Sequence, residues 1–120
     1  MLEETTYKIN GLLFDTYKAL GPYMKEKIYQ EYFESLLKKE ETKFAREIYA
    51  PFKINGKTLC QQYLDFLIDE KIIVELKVDN YFRKIHFEQV NNYLKTSGKK
   101  LGILALFTKN GVRIKRVFNN

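Results

Sequence analysis

The stretch from Tyr63 to Lys77, Tyr-Leu-Asp-Phe-Leu-Ile-Asp-Glu-Lys-Ile-Ile-Val-Glu-Leu-Lys, constrains the fold more than any other part of the chain. It reads as two apolar strands joined by the charged triplet Asp69-Glu70-Lys71. A three-residue loop sets Ile68 opposite Ile72, and in that register Asp65 faces Glu75 and Tyr63 faces Lys77. Side chains alternate between the faces of a strand. Leu64, Phe66 and Ile68 are therefore expected on one face with Ile72, Val74 and Leu76, and Tyr63, Asp65 and Leu67 on the other with Ile73, Glu75 and Lys77. Opposed residues bring their Cβ atoms to roughly 5 Å, where like charges repel. Two carboxylates held that close, with an ammonium two residues along, call for a cation between them or a shifted pKa.

A Glu-x-Lys pair taken alone is most often the wet face of a hairpin. Here the flanking residues are apolar on both faces, as in a central strand covered on both sides. An unpaired charge is costly to bury, so it needs a partner or a metal.

The 120 residues suit one domain, expected to span 1–120. A hydrophobic fraction of 45% argues for a packed core rather than disorder. No apolar run approaches the roughly 20 residues of a membrane helix, and the opening residues lack a signal-peptide pattern. Cys60 is the single cysteine, which excludes a disulfide framework or a cysteine zinc site within one chain. A reducing cytoplasm is the expected compartment. The net charge of +6 suits a polyanionic partner without demanding one. With His86 the only histidine, a catalytic metal would have mostly oxygen ligands, favouring Mg2+ or Mn2+ over zinc.

Ile9, Leu12, Leu13, Tyr17 and Leu20 recur at helical spacing and predict a helix over about Thr5 to Leu20, ended by Gly21-Pro22. A second helix is expected from about Met24 to Lys39, with Ile28, Tyr29, Tyr32, Phe33, Leu36 and Leu37 on its stripe. Glu26 lies near its start, where the helix dipole alone would favour a carboxylate. Arg46 to Lys53 reads as a first strand, Asn55-Gly56 as a turn, and Thr58 to Ile68 as a second strand long enough to hold a bulge. The third strand, Ile72 to Lys77, leaves through Val78-Asp79-Asn80. A third helix over about Phe82 to Thr96 carries His86, Gln89, Val90, Tyr93 and Leu94 on one side. His86 and Tyr93 alone would pass for satisfied groups at a helix–sheet interface, whereas a buried Gln89 amide needs several partners. Leu101 to Phe107 is nearly continuous apolar strand. Val112 to Phe118 pairs back after Asn110-Gly111, with Arg113, Lys115 and Arg116 guarding the edge. The order α-α-β-β-β-α-β-β implies an α/β fold, a mixed β-sheet flanked by helices.

Hydrolysing a phosphodiester needs a divalent cation that polarises the phosphoryl oxygen and lowers the pKa of an attacking water. Asp65 and Glu75 could supply its oxygen ligands, with a main-chain carbonyl near Leu76 as a third. Lys77 could orient the water or neutralise charge on the phosphate, and Gln89 could hold water or substrate.

Asp65, nine residues, then Glu75-Leu76-Lys77 resembles the bipartite motif of the PD-(D/E)XK nuclease superfamily, and the element order resembles its restriction-endonuclease-like core. More narrowly, the chain looks like the small GxxExxY proteins of that superfamily. The matching segments are Leu20-Gly21-Pro22, Glu26-Lys27-Ile28-Tyr29, Ile72 to Lys77, His86 to Val90 with Tyr93-Leu94, and Ser97-Gly98 to Leu101-Gly102, so the resemblance spans about Tyr7 to Phe118. The glycine opening the family motif is Tyr23 here. The resemblance implies Asp65 and Glu75 as metal ligands, Lys77 as the catalytic lysine, and Glu26 and Gln89 in support. It implies Mg-dependent cleavage of DNA, sometimes RNA, and no role for Tyr29 or Tyr93 follows from it.

A chain this short would need a homodimer or an accessory protein to grip a duplex. Two other functions compete. One is a non-catalytic nucleic-acid-binding module using Lys99, Lys100, Lys109, Arg113, Lys115 and Arg116 on phosphates. The other is an assembly subunit with vestigial carboxylates. For the last hairpin's basic residues, a solvated edge is the plainer reading.

Overall fold

The computed structural model describes residues 2–119. Helices α1 (Leu2–Leu20) and α2 (Glu26–Lys39) precede strands β1 (Phe44–Tyr49), β2 (Phe52–Ile54), β3 (Lys57–Cys60), β4 (Tyr63–Ile68) and β5 (Ile72–Val78). Helix α3 (Lys84–Ser97) and strands β6 (Leu101–Thr108) and β7 (Gly111–Phe118) complete the chain. Five strands form one sheet in the order β1-β4-β5-β6-β7, and β2 and β3 form a separate ribbon. Neighbours pair antiparallel except β5 and β6, which run parallel and are joined through α3. A parallel pair needs such a crossover.

Two cores sandwich the sheet. On one face Ile9 and Leu13 of α1 and Tyr29, Phe33 and Leu37 of α2 pack on Phe66, Ile72, Val74, Leu76 and Phe107. On the other, Val90, Tyr93 and Leu94 of α3 pack on Leu64 and Ile73. Residues from both faces of β5 and β6 are therefore buried, which explains their near-continuous apolar sequence. Gly102 lets α3 come this close. A Cβ there would lie 2.4 Å from Val90 Cγ1 and 2.9 Å from Ile73 Cγ2. Among the described residues no helix is long and apolar enough to cross a membrane.

Three expectations are corrected. The strands expected over Arg46–Lys53 and Thr58–Ile68 are each cut in two. Pro51 has no N–H to give to a ladder, and Ala50 N to Gln62 O, 2.9 Å, is the backbone hydrogen bond that bridges the gap among the described residues. Beyond it the ribbon closes on Asn55-Gly56, whose φ angles of +52° and +77° make a tight hairpin turn. Secondly, Leu64 leaves the face of Phe66 and joins the α3 core with Ile48. Glu47, the β1 residue facing Asp65, has φ +54° and interrupts the β1–β4 pairing, turning the strands at that point. Thirdly, the β4–β5 ladder has the expected register, Ile68 on Ile72, but ends at Phe66–Val74. Asp65 and Glu75, and Tyr63 and Lys77, lie past its last rung.

Candidate active site

The site forms where β4 and β5 part. Backbone groups that would have paired need other partners, and the two carboxylates provide them. Asp65 N donates to Glu75 Oε1 at 2.8 Å, and Leu76 N donates to Asp65 Oδ2 at 2.8 Å. Each carboxyl group thus replaces a rung of the sheet, anchored through one oxygen. The remaining oxygens meet side chains. Gln30 Nε2 donates to Asp65 Oδ1 at 3.1 Å, and Lys77 Nζ lies 3.1 Å from Glu75 Oε2.

Glu75 is 3% exposed, and each carboxyl group reaches across to the main chain of the other's strand. Burial and the Glu75 charge push Asp65 from 3.8 up to about 8. Burial also raises Glu75, against the pull of Lys77 and the Asp65 amide. Burial alone would lower Lys77, but Glu75 beside it, with Glu26 and Asp65, raises it overall. The result is one ammonium and a carboxyl pair that together tend to retain a proton.

Glu26 reaches the same place from α2, where its Oε1 accepts from Val78 N at 3.2 Å, just past Lys77. Upstream, Tyr23 has φ +69°, a backbone glycine adopts freely. The tyrosine at the motif's glycine position thus keeps glycine geometry. Tyr29 is a clasp in the core: its hydroxyl donates to Gly21 O at 2.6 Å and its ring stacks on Phe107. On α3, His86 Nδ1 accepts from Arg83 N at 3.3 Å, and burial, helped by Lys77, lowers its pKa. Burial raises Tyr93, against a hydrogen bond to Ser97. Gln89 Oε1 is buried without a hydrogen-bond partner among the described residues.

The six basic residues fall in different places. Lys99 and Lys100 border a pocket with Leu2, Glu70 and Lys71 at the β4–β5 hairpin tip. Leu101 pairs with Ile72 and Leu106 with Lys77, so the two lysines lie roughly 16 Å or more along the strands from Lys77. Lys109 is at the near end, its N–H donating to Asn80 Oδ1 at 3.4 Å. Arg113 and Lys115 lie over the Phe82 ring, and Arg116 points to the opposite side of β7.

The sequence reasoning missed Gln30 and Arg46. Gln30 stands one turn after Glu26, on the same face of α2. Arg46 donates through Nε to Asp65 O and through Nη2 to Gln30 Oε1, both at 3.2 Å, pairs with Glu34, and covers the Phe66 ring. Gln30 and Arg46 hold Asp65 by side chain and main chain. The signals were there: the four-residue spacing from Glu26, and a charge at an inward position of β1 between Phe44 and Ile48.

Among the described residues, no three His, Cys, Asp or Glu side chains converge to cage a metal. The protein's side-chain donors are two carboxylates. Mg2+ keeps several waters and takes one or two carboxylates, so the residues present fit it. A divalent charge between Asp65 and Glu75 would also oppose the burial penalty and the Glu75 repulsion that together raise Asp65.

Five solved chains resemble the fold, among them the following two. One, titled the crystal structure of SSO0001, superposes with a TM-score of 0.59 at 22% identity, covering 78% of this chain and 50% of that one. The other is an alkaline exonuclease (LHK-Exo) from Laribacter hongkongensis, with a TM-score of 0.51 at 10% identity, covering 72% of this chain and 52% of that one. The chain thus spans about half the length of these two structures. No curated protein matches the sequence. The family model described as the PD-(D/E)XK nuclease superfamily matches residues 3–117, and with nearly the whole chain covered the protein belongs to that superfamily.

Proposed function

We propose that the protein is a Mg2+- or Mn2+-dependent nuclease that hydrolyses DNA phosphodiester bonds, with RNA as the second candidate substrate. One observation carries the reading: Asp65 and Glu75 are buried against each other with Lys77 on the outer oxygen of Glu75. Asp65 and Glu75 would hold the cation, which when bound would supply Lewis acidity and an acidified water, with one oxygen of each still tied to the main chain. Lys77, positively charged at neutral pH, then orients the attacking water and offsets charge growing on the phosphate. Glu26 fixes the β5 exit beside Lys77, and Gln89 Oε1, unpartnered among the described residues, takes water or substrate.

Within the superfamily this reading groups the chain with the GxxExxY proteins, supported by Glu26 on Val78 N and by the glycine-like backbone at Tyr23. Residues 1–120 then act as one nuclease-like domain, and a second copy or an accessory protein completes the grip on the nucleic acid. Lys109, Arg113 and Lys115 are the nucleic-acid contacts best placed for this centre. A lone free cysteine suits the cytoplasm.

The test is cleavage of labelled DNA with Mg2+ or Mn2+, comparing the parent with Asp65→Ala and Lys77→Ala. Loss of cutting in both supports the reading. Equal cutting by parent and variants would mark a contaminant and end it.

A further inference from the structure

Tyr63 stands two residues before Asp65 on β4, just past the point where Glu47 turns the strands. Both border one pocket of about 260 Å3, together with Gln30, Arg46 and Glu47. Across the β1–β4 ladder Tyr63 is paired with Tyr49, ring centroids 5.4 Å apart and planes at 52°. Cross-strand aromatic pairs stabilise a sheet by covering each other, yet these two are 60% and 52% exposed. The Tyr49 hydroxyl donates to Gln61, which restrains its ring. An exposed, pre-set aromatic surface thus adjoins the carboxylate end of the site. The β2–β3 ribbon leading away from it carries exposed Lys53 and Lys57, neither in an ion pair among the described residues.

We propose that Tyr63, backed by Tyr49, stacks on an unpaired nucleobase next to the phosphate presented to Asp65 and Glu75, so that the substrate is single-stranded DNA or a frayed end. Every base offers a π-face, so stacking of this kind tolerates any sequence. Inside a duplex that face is already taken by neighbouring pairs, and the platform discriminates against it. The ribbon lysines meet the phosphates of the strand as it leaves. The inference rests on the nuclease reading for the identity of the ligand but not on hydrolysis itself.

Binding of a short fluorescent single-stranded DNA, measured by anisotropy in EDTA at low salt, tests it. Tyr63→Ala and Tyr63→Leu should both weaken binding about 10-fold, within the roughly 5- to 150-fold that base–aromatic stacking spans. Tyr63→Phe, which keeps the ring, should bind like the parent. Replacing one nucleotide of the probe by an abasic residue should weaken the parent by a similar factor at one position and leave Tyr63→Ala no worse. Parent-like binding by Tyr63→Ala and Tyr63→Leu, no binding by the parent, or equal abasic penalties in both would each overturn the platform. Tyr63-dependent binding without cleavage under Mg2+ or Mn2+ would support it while removing the hydrolytic reading. Cleavage that needs Asp65 but ignores Tyr63→Ala would do the reverse.

Discussion

Replacing Asp65 with asparagine should make the metal-free protein more stable. The folded carboxyl titrates near 8 and the ordinary one at 3.8, because burial and Glu75 disfavour its charge. At pH 7 the folded group is mostly protonated and the unfolded one ionised. The roughly three pH units between 3.8 and 7, at about 1.4 kcal/mol each, set a ceiling of about 4 kcal/mol on the destabilisation. Asparagine removes that penalty and can still accept from Leu76 N. Its amide nitrogen, however, would face Gln30 Nε2 where Asp65 Oδ1 now accepts, returning about 1 kcal/mol. A net gain of at most about 3 kcal/mol remains. Unfolding entropy scales at about 2.1 cal/mol/K per residue, so 120 residues convert this to a Tm rise of at most about 12 °C. The sign follows from the raised pKa. The parent's stability from this group is fully present below pH 3.8 and lost as pH rises through about 8, so the variant's advantage should grow over that window. Calorimetry in EDTA at pH 5 and pH 8 measures it. Added Mn2+ should invert the order, stabilising only the parent, by about 4 kcal/mol at one thousand times its Kd. A variant less stable than the parent in EDTA at pH 8, or a difference flat with pH, would refute the electrostatic account.

Gly102→Ala should cost about 3 kcal/mol, because the added methyl meets two stiff β-branched side chains between α3 and the sheet; a urea midpoint unchanged from the parent would contradict that packing. Glu34 is held below its ordinary 4.5 by Arg46 and Lys38. Its contribution to stability is present above pH 4.5 and lost as pH falls through the lower folded value. Glu34→Gln should therefore lose about 1 kcal/mol at pH 7 and show a flatter acid limb in denaturation curves from pH 5 to 3.

What could be read from the sequence was whatever a local period or a short turn imposes. The loop after Ile68 and the apolar alternation fixed the β4–β5 register, and with it Asp65, Glu75 and Lys77 as neighbours. The helices followed from three- and four-residue spacing, and the ribbon turn from Asn55-Gly56. Leu64 could not be placed, because the face switch depends on Glu47 in a left-handed conformation that glutamate rarely takes. The cut at Pro51 was hidden for a related reason: proline is tolerated at a bulge or an edge, so it does not by itself announce a break. Arg46 and Gln30 meet only through the packing of α2 over β1 and β4, a long-range contact no local pattern encodes.

The division of labour between the oxygens of Asp65 and Glu75 has a kinetic consequence. One oxygen of each is bolted to a main-chain amide, and the other touches a side chain that a rotamer change can remove. On the proposed reading, an ion entering between the two carboxylates would displace Gln30 and Lys77 and leave the main-chain ties between β4 and β5 in place. Metal exchange would then be paced by two half-buried side chains and by loss of hydration water rather than by movement of the strands.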